Sequence, residues 1–178
     1  MIYQIDQSGK IEDTSKPTVL ALSNSKTYSI FISAKVKREI QEIYRRHGLT
    51  RFYIYETFSL GIYFLLRHLK EKVEVVIDVE YEGWDKLISQ LISIFLKTNK
   101  KPAHEISFAY IGNTPKVHYA AHDVFVKKNR PDRTITKEEI LQELKKTGGR
   151  LRECLSTLVD ARPQSYRRII AQKPKKSR

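Results

Sequence analysis

The run Val73-Glu74-Val75-Val76-Ile77-Asp78-Val79-Glu80 constrains this chain more than any other segment. Five of its eight residues are Val or Ile, whose branched side chains suit a pleated strand. An apolar run with so little alternation belongs in the middle of a sheet covered on both faces. A helical pattern follows from about Gly83 to Thr98, with Leu87, Leu91, Ile94 and Phe95 on one side. Ile106–Ile111 then reads as another strand. Strand, helix, strand implies a right-handed crossover between parallel strands, and an α/β fold.

The residues before this run have a different pattern. Ile2–Gln7, Thr18–Leu22 and Tyr28–Ser33 read as strands separated by turn chemistry at Gly9-Lys10 and Ser23-Asn24-Ser25-Lys26. Such short connections predict an antiparallel meander. A helix is expected from Ala34 to His47, with Val36, Ile40, Ile43 and Tyr44 on one face and Gly48 as its stop. Thr50 is the expected cap of a second helix running from Arg51 to about Leu69. That segment is the most apolar of the chain, but Glu56, Gly61, Arg67 and His68 mark it as a buried core helix rather than a membrane span. Gly112-Asn113-Thr114-Pro115 opens a further helix to about Lys127, with Thr114 as cap and Pro115 in the first turn. Asn129-Arg130-Pro131-Asp132 breaks the chain, so the expected division is a domain over 1–133 and an extension over 134–178, with a disordered end at 173–178.

Charge separates the two parts. Residues 127–178 hold 16 Lys and Arg against 6 Asp and Glu, a net of +10, whereas residues 1–126 hold 17 against 14, a net of +3. This asymmetry points to a polyanionic partner, nucleic acid before an anionic membrane surface. Cys154 is the single cysteine, which excludes an internal disulfide and fits a reducing, cytoplasmic setting; its place on an apolar helix face suits a packed thiol. No signal-type stretch opens the chain. Seven glycines and no phosphate-cradling loop argue against a nucleotide cofactor.

Three aspartates fall at informative places. Asp6 ends the first strand before Gln7-Ser8-Gly9, Asp78 lies in the central run, and Asp123 follows His118-Tyr119-Ala120-Ala121-His122 on the expected closing helix. A carboxylate in a buried strand is costly to ionise without a partner. If the first and fourth strands pair, Asp6 and Asp78 become neighbours that a divalent cation would neutralise, with Asp123 reaching them from the helix. Mg²⁺ or Mn²⁺ suits such oxygen ligands, and a pair of ions held this way hydrolyses phosphodiesters. Taken one at a time, each aspartate also has an ordinary explanation as a turn former, an ion-paired edge residue or a surface charge. His118 and His122, four apart, have a zinc-compatible spacing but no further nitrogen or sulfur ligand nearby; His122 beside Asp123 is alternatively a proton-shuttling or ligand-supporting group.

The order of three antiparallel strands, helix, strand, helix, strand, helix resembles the ribonuclease H-like superfamily, and the opening Ile5-Asp6-Gln7-Ser8-Gly9 is similar to nuclease-like members that start Asp-x-Ser-Gly. The resemblance covers about residues 1–130. It implies a mixed five-stranded sheet, three antiparallel strands then two parallel, flanked by helices. It also implies Asp6, Asp78 and Asp123 as catalytic metal ligands of a Mg²⁺- or Mn²⁺-dependent nuclease acting on DNA or RNA. For the fourth acid it offers Glu56, by helix order. Glu80, on the same strand face as Asp78, is its rival, and Glu39 is a weaker candidate on a solvated face. A non-catalytic nucleic-acid-binding protein on the same fold is the alternative function.

In the extension, Thr136-Lys137-Glu138-Glu139 forms a capping box ahead of Ile140, Leu141 and Leu144. Gly148-Gly149 turns the chain. A second helix carries Leu151, Cys154, Leu155 and Leu158, and a third, with Ser165-Tyr166-Arg167-Arg168, is expected from Pro163 to about Ala171. This stretch resembles a Fis-type helix-turn-helix, whose last helix lies in the major groove. The resemblance implies contacts to phosphates or base edges from Arg162, Gln164, Ser165, Arg167 and Arg168, and Arg150, Arg152, Lys173, Lys175 and Lys176 are further nucleic-acid-binding candidates of this basic region. The alternative is a plain helical extension packed on the main domain.

Overall fold

The computed structural model describes residues 2–112 and 116–159, with side chains as far as residue 148. Its elements run β1 (Ile2–Ser8), β2 (Thr18–Ser23), β3 (Thr27–Ile32), α1 (Ala34–Arg46), α2 (Thr50–Leu66), β4 (Glu74–Asp78), α3 (Asp85–Thr98), β5 (Glu105–Ala109), α4 (Lys116–Phe125), β6 (Arg133–Thr134) and α5 (Lys137–Val159). One mixed sheet has the order β5-β4-β1-β2-β3-β6. β1, β2 and β3 form the antiparallel meander, and β4 pairs parallel with β1 and with β5.

Six strands, rather than the expected five, form the sheet. The sixth is the two-residue β6, parallel to β3. Arg133-Thr134 has no alternation to reveal it. Its neighbour Asp132 supplies the anchor, accepting hydrogen bonds from the Ser29 amide at 2.7 Å and the Ser29 hydroxyl at 2.9 Å.

The two sheet faces are covered unequally. Ile5, Leu20, Leu22, Ile30, Ile32, Val75 and Ile77 point to the main core, which α1, α2, α3 and the start of α5 complete. α2 is buried nearly all round, the state expected of a helix without a polar face. Its Gly61 lies directly over Leu20 of β2, where a Cβ would overlap the leucine side chain. Among the described residues, only α4 packs on the other face, through Val117, Ala121 and Val124 against Val19 and Ala21. Among the described residues, no helix is long and apolar enough to cross a membrane.

Local signals explain most boundaries. The Ser33 hydroxyl accepts from the Val36 amide and caps α1. Thr50 instead lies inside α2, whose cap position is Leu49 with no side-chain hydrogen bond. Thr136 and Glu139 form the reciprocal capping box: each amide donates to the other's side chain, at 3.0 and 3.2 Å. Gly148, at φ 38° and ψ −113°, breaks α5 into two helical segments. Ile135 and Ile140 belong to the main core. Thr114 and Pro115 lie outside the described residues.

Candidate metal centre

Parallel pairing of β1 with β4 aligns Ile5 with Ile77, so Asp6 and Asp78 emerge side by side where these strands end. Ile5 and Ile77 are turned to the main core. The alternation of a strand therefore directs Asp6 and Asp78 to the opposite face, the one α4 partly covers. Glu80 follows Asp78 by two residues. Carboxylate oxygens of Asp6, Asp78 and Glu80 all lie within 4.8 Å of one another.

Backbone and helix hold these acids in place. Asp6 is 4% exposed; one of its oxygens accepts the Gln7 amide at 2.7 Å and the other accepts His118 Nδ1–H from α4 at 2.9 Å. Asp78 accepts the Ile111 amide at 2.6 Å, which ties the end of β4 to the segment after β5. Burial raises the pKa of Asp6 most; the Gln7 amide and His118 lower it, while the Asp78 charge adds to the rise. Glu80 is pushed up to about 7, first by burial and then by the charges of Asp6 and Asp78, against which Lys10 acts. Clustered carboxylates whose charges make ionisation costly are a set that a cation stabilises. Their donors are all oxygen, which suits a hard divalent ion of the Mg²⁺ or Mn²⁺ kind. The triad could hold such an ion.

The remaining expected residues lie elsewhere. Glu56 is not in the cluster. It is 5% exposed inside the main core, where the Tyr44 hydroxyl donates to its carboxylate. Burial pushes its pKa up to about 7, and the Tyr44 hydrogen bond acts in the other direction. The cost of a carboxylate on an apolar helix is met by a tyrosine of α1. Asp123 is also not in the cluster. The inward stripe of α4 is Val117, Ala121 and Val124, and Asp123 is roughly 140° round the helix from His118. Its carboxylate lies 3.6 Å from Lys128 Nζ and 3.7 Å from His122 Nδ1. Glu39 pairs with Lys137 on the surface, at 3.3 Å. The side chains of Arg150, Arg152, Cys154, Arg162, Gln164, Ser165, Arg167, Arg168, Lys173, Lys175 and Lys176 lie outside the described residues.

The sequence singled out His118 for its spacing to His122 but not for its contact with Asp6. The residue α4 brings to the acids is this imidazole, and its ring also stacks with His122 at 6.0 Å between centroids. The available signal was its place beside the Val117–Ala121 stripe, which turns it toward β1. No protein-family model matches the chain, and no curated protein matches its sequence.

Proposed function

We propose that this protein is a metal-dependent nuclease on a ribonuclease H-like fold, with Asp6, Asp78 and Glu80 as its metal ligands. The observation that carries the proposal is the convergence of these three carboxylates where two adjacent parallel strands end. The strand and helix order and the pairing of β1 with β4 support the fold assignment. A Mg²⁺ or Mn²⁺ ion held there would activate water and stabilise charge on a phosphodiester. The chain's own residues do the rest. The Gln7 and Ile111 amides orient Asp6 and Asp78, so the acids meet the ion in fixed directions. His118 holds the second oxygen of Asp6. The basic stretch over 127–178 supplies charge for phosphate contact.

The test is cleavage of labelled single-stranded, duplex, hybrid and branched nucleic acids in Mn²⁺ or in EDTA, with Asp6→Asn, Asp78→Asn and Glu80→Gln alongside. Cleavage in Mn²⁺ that EDTA and each substitution abolish is the expected result. Binding without cleavage in every lane would refute the nuclease and favour a non-catalytic nucleic-acid-binding protein.

A further inference from the structure

The connection between β1 and β2 is held far more firmly than a surface loop needs to be. Loops of this kind are ordinarily the mobile, variable part of a fold. Here Lys37 of α1, fully buried, reaches beneath it. Its ammonium donates to the Lys10 carbonyl at 2.7 Å, the Asp13 carbonyl at 2.7 Å and the Thr18 hydroxyl at 2.9 Å. Burial draws the Lys37 pKa down to about 8, so the ammonium stays protonated at neutral pH. A buried lysine is tolerated only when its donors are satisfied, and these three acceptors satisfy them. From α2, the Tyr53 hydroxyl donates to the Ile11 carbonyl at 3.2 Å. Tyr81, the residue after Glu80, accepts the Ile11 amide at 3.3 Å and donates to Glu12 at 3.0 Å. The loop is therefore fastened to the chain that carries Glu80.

Its start is fixed as tightly. Gly9 has φ +77°, and a Cβ there would run into the Pro17 carbonyl and the Phe125 ring. The residue this corner presents is Lys10, whose side chain is exposed. Ile11, the next residue, is hydrogen-bonded to Tyr81, the residue after Glu80, so the Lys10 side chain starts beside the chain that carries the acids, where a cation can contact an anion that the acids alone would repel.

We propose, building on the nuclease reading of the cluster, that Lys10 binds a phosphate of the nucleic-acid backbone next to the metal centre and that Lys37 is its positioning residue. The Lys37 ammonium fixes the Lys10 main chain, so the Lys10 side chain starts from one place. Lys10 gives phosphate affinity independent of base sequence, and it acts on substrate binding rather than on metal binding.

The test compares full-length wild type, Lys10→Ala, Lys37→Met and the double variant. Binding to short single-stranded and duplex DNA and RNA is measured across a salt series in EDTA, and cleavage is measured in Mn²⁺. Lys10→Ala is exposed and keeps the wild-type melting temperature. It lowers the slope of log affinity against log salt by about 1, and it raises KM while kcat stays within about twofold. Lys37→Met lowers the melting temperature, and it also loses the same slope increment. The double variant loses no more slope than Lys10→Ala alone, which a purely structural lysine would not produce. Wild-type slope and KM in Lys10→Ala, with wild type active, would overturn this inference and leave the nuclease standing. A full slope in Lys37→Met would overturn its positioning role. A wild type that neither binds nor cleaves any of the nucleic acids would overturn both the nuclease and the Lys10 contact.

Discussion

Glu56→Gln separates the core carboxylate from the clustered ones, and the magnitude follows from its burial. The ordinary glutamate value is 4.5, and Glu56 is pushed up to about 7, chiefly by burial. In the unfolded chain this group ionises first, so between these two values the folded state holds the extra proton. Its contribution to stability is therefore complete below pH 4.5, declines as pH rises, and is gone above about pH 7. At about 1.4 kcal/mol per pH unit, the loss is on the order of 3 kcal/mol. Glutamine has nearly the same shape, cannot ionise, and still accepts the Tyr44 hydroxyl through its amide oxygen. Urea unfolding followed by fluorescence of Trp84, the single tryptophan, gives both stabilities from pH 4.5 to pH 8. Relative to wild type, the Gln variant should gain about 3 kcal/mol across that interval. A difference that does not change with pH, or that moves in wild type's favour, refutes the reasoning. Cleavage adds a second readout: Glu56→Gln keeps it and Glu80→Gln loses it. Loss of cleavage in a folded Glu56→Gln protein would return Glu56 to the site.

Two further outcomes follow from the same physics. Saturating Mn²⁺ should stabilise wild type by about 2.7 kcal/mol at a hundredfold excess over Kd. Asp6→Asn should abolish that gain while raising the metal-free melting temperature, and calorimetry with Mn²⁺ or EDTA checks both. Gly61→Ala should cost about 1–3 kcal/mol, because the new methyl group enters the space of Leu20. The greater helix propensity of alanine offsets at most about 1 kcal/mol, so an unchanged or higher melting temperature would show that α2 does not press on β2 there.

The sheet was legible in this chain because its central residues have one physical reading. Val73–Glu80 is too β-branched for a helix and too apolar for an edge, and β4 is flanked by β1 and β5. Turn chemistry defined the meander for the same reason. The acids were harder. A helix face is settled by which residues it buries, and the stripe of Val117, Ala121 and Val124 turns His118, not Asp123, toward β1. Glu56 was singled out because a carboxylate on an apolar helix demands a partner. That demand is real, but a tyrosine twelve residues away meets it. Burial alone identifies a residue with a partner without identifying the partner. β6 was illegible because two residues have no period, and its pairing depends on Asp132 reaching Ser29, 103 positions away in sequence.

The unequal covering of the sheet gives the site its access. Four helices bury one face, whereas α4 lies over β1, β2 and β3 on the other. Beyond α4 that face continues across β4 and β5, where Val76 is only half-buried and Ser107 and Ala109 are exposed. Among the described residues no element covers this floor, and the acids stand at its edge. Had α4 been placed over β4 instead, Asp78 and Glu80 would lie under a helix, with no path for a polymer. Instead the helix stops short and supplies His118 to Asp6. At the end of β1 the Gly9–Lys10 corner adjoins α4, where Gly9 packs against the Phe125 ring. Val76, Ser107 and Ala109 form the floor near the acids, Glu74 and Glu105 lie at its far end, and α4 flanks it. On the proposed nuclease reading, an extended chain would lie across the sheet with one phosphate at the carboxylates, an arrangement that a tightly enclosing pocket would exclude. A short oligonucleotide reaching only one side of the cluster should accordingly be cut more slowly than one long enough to span both.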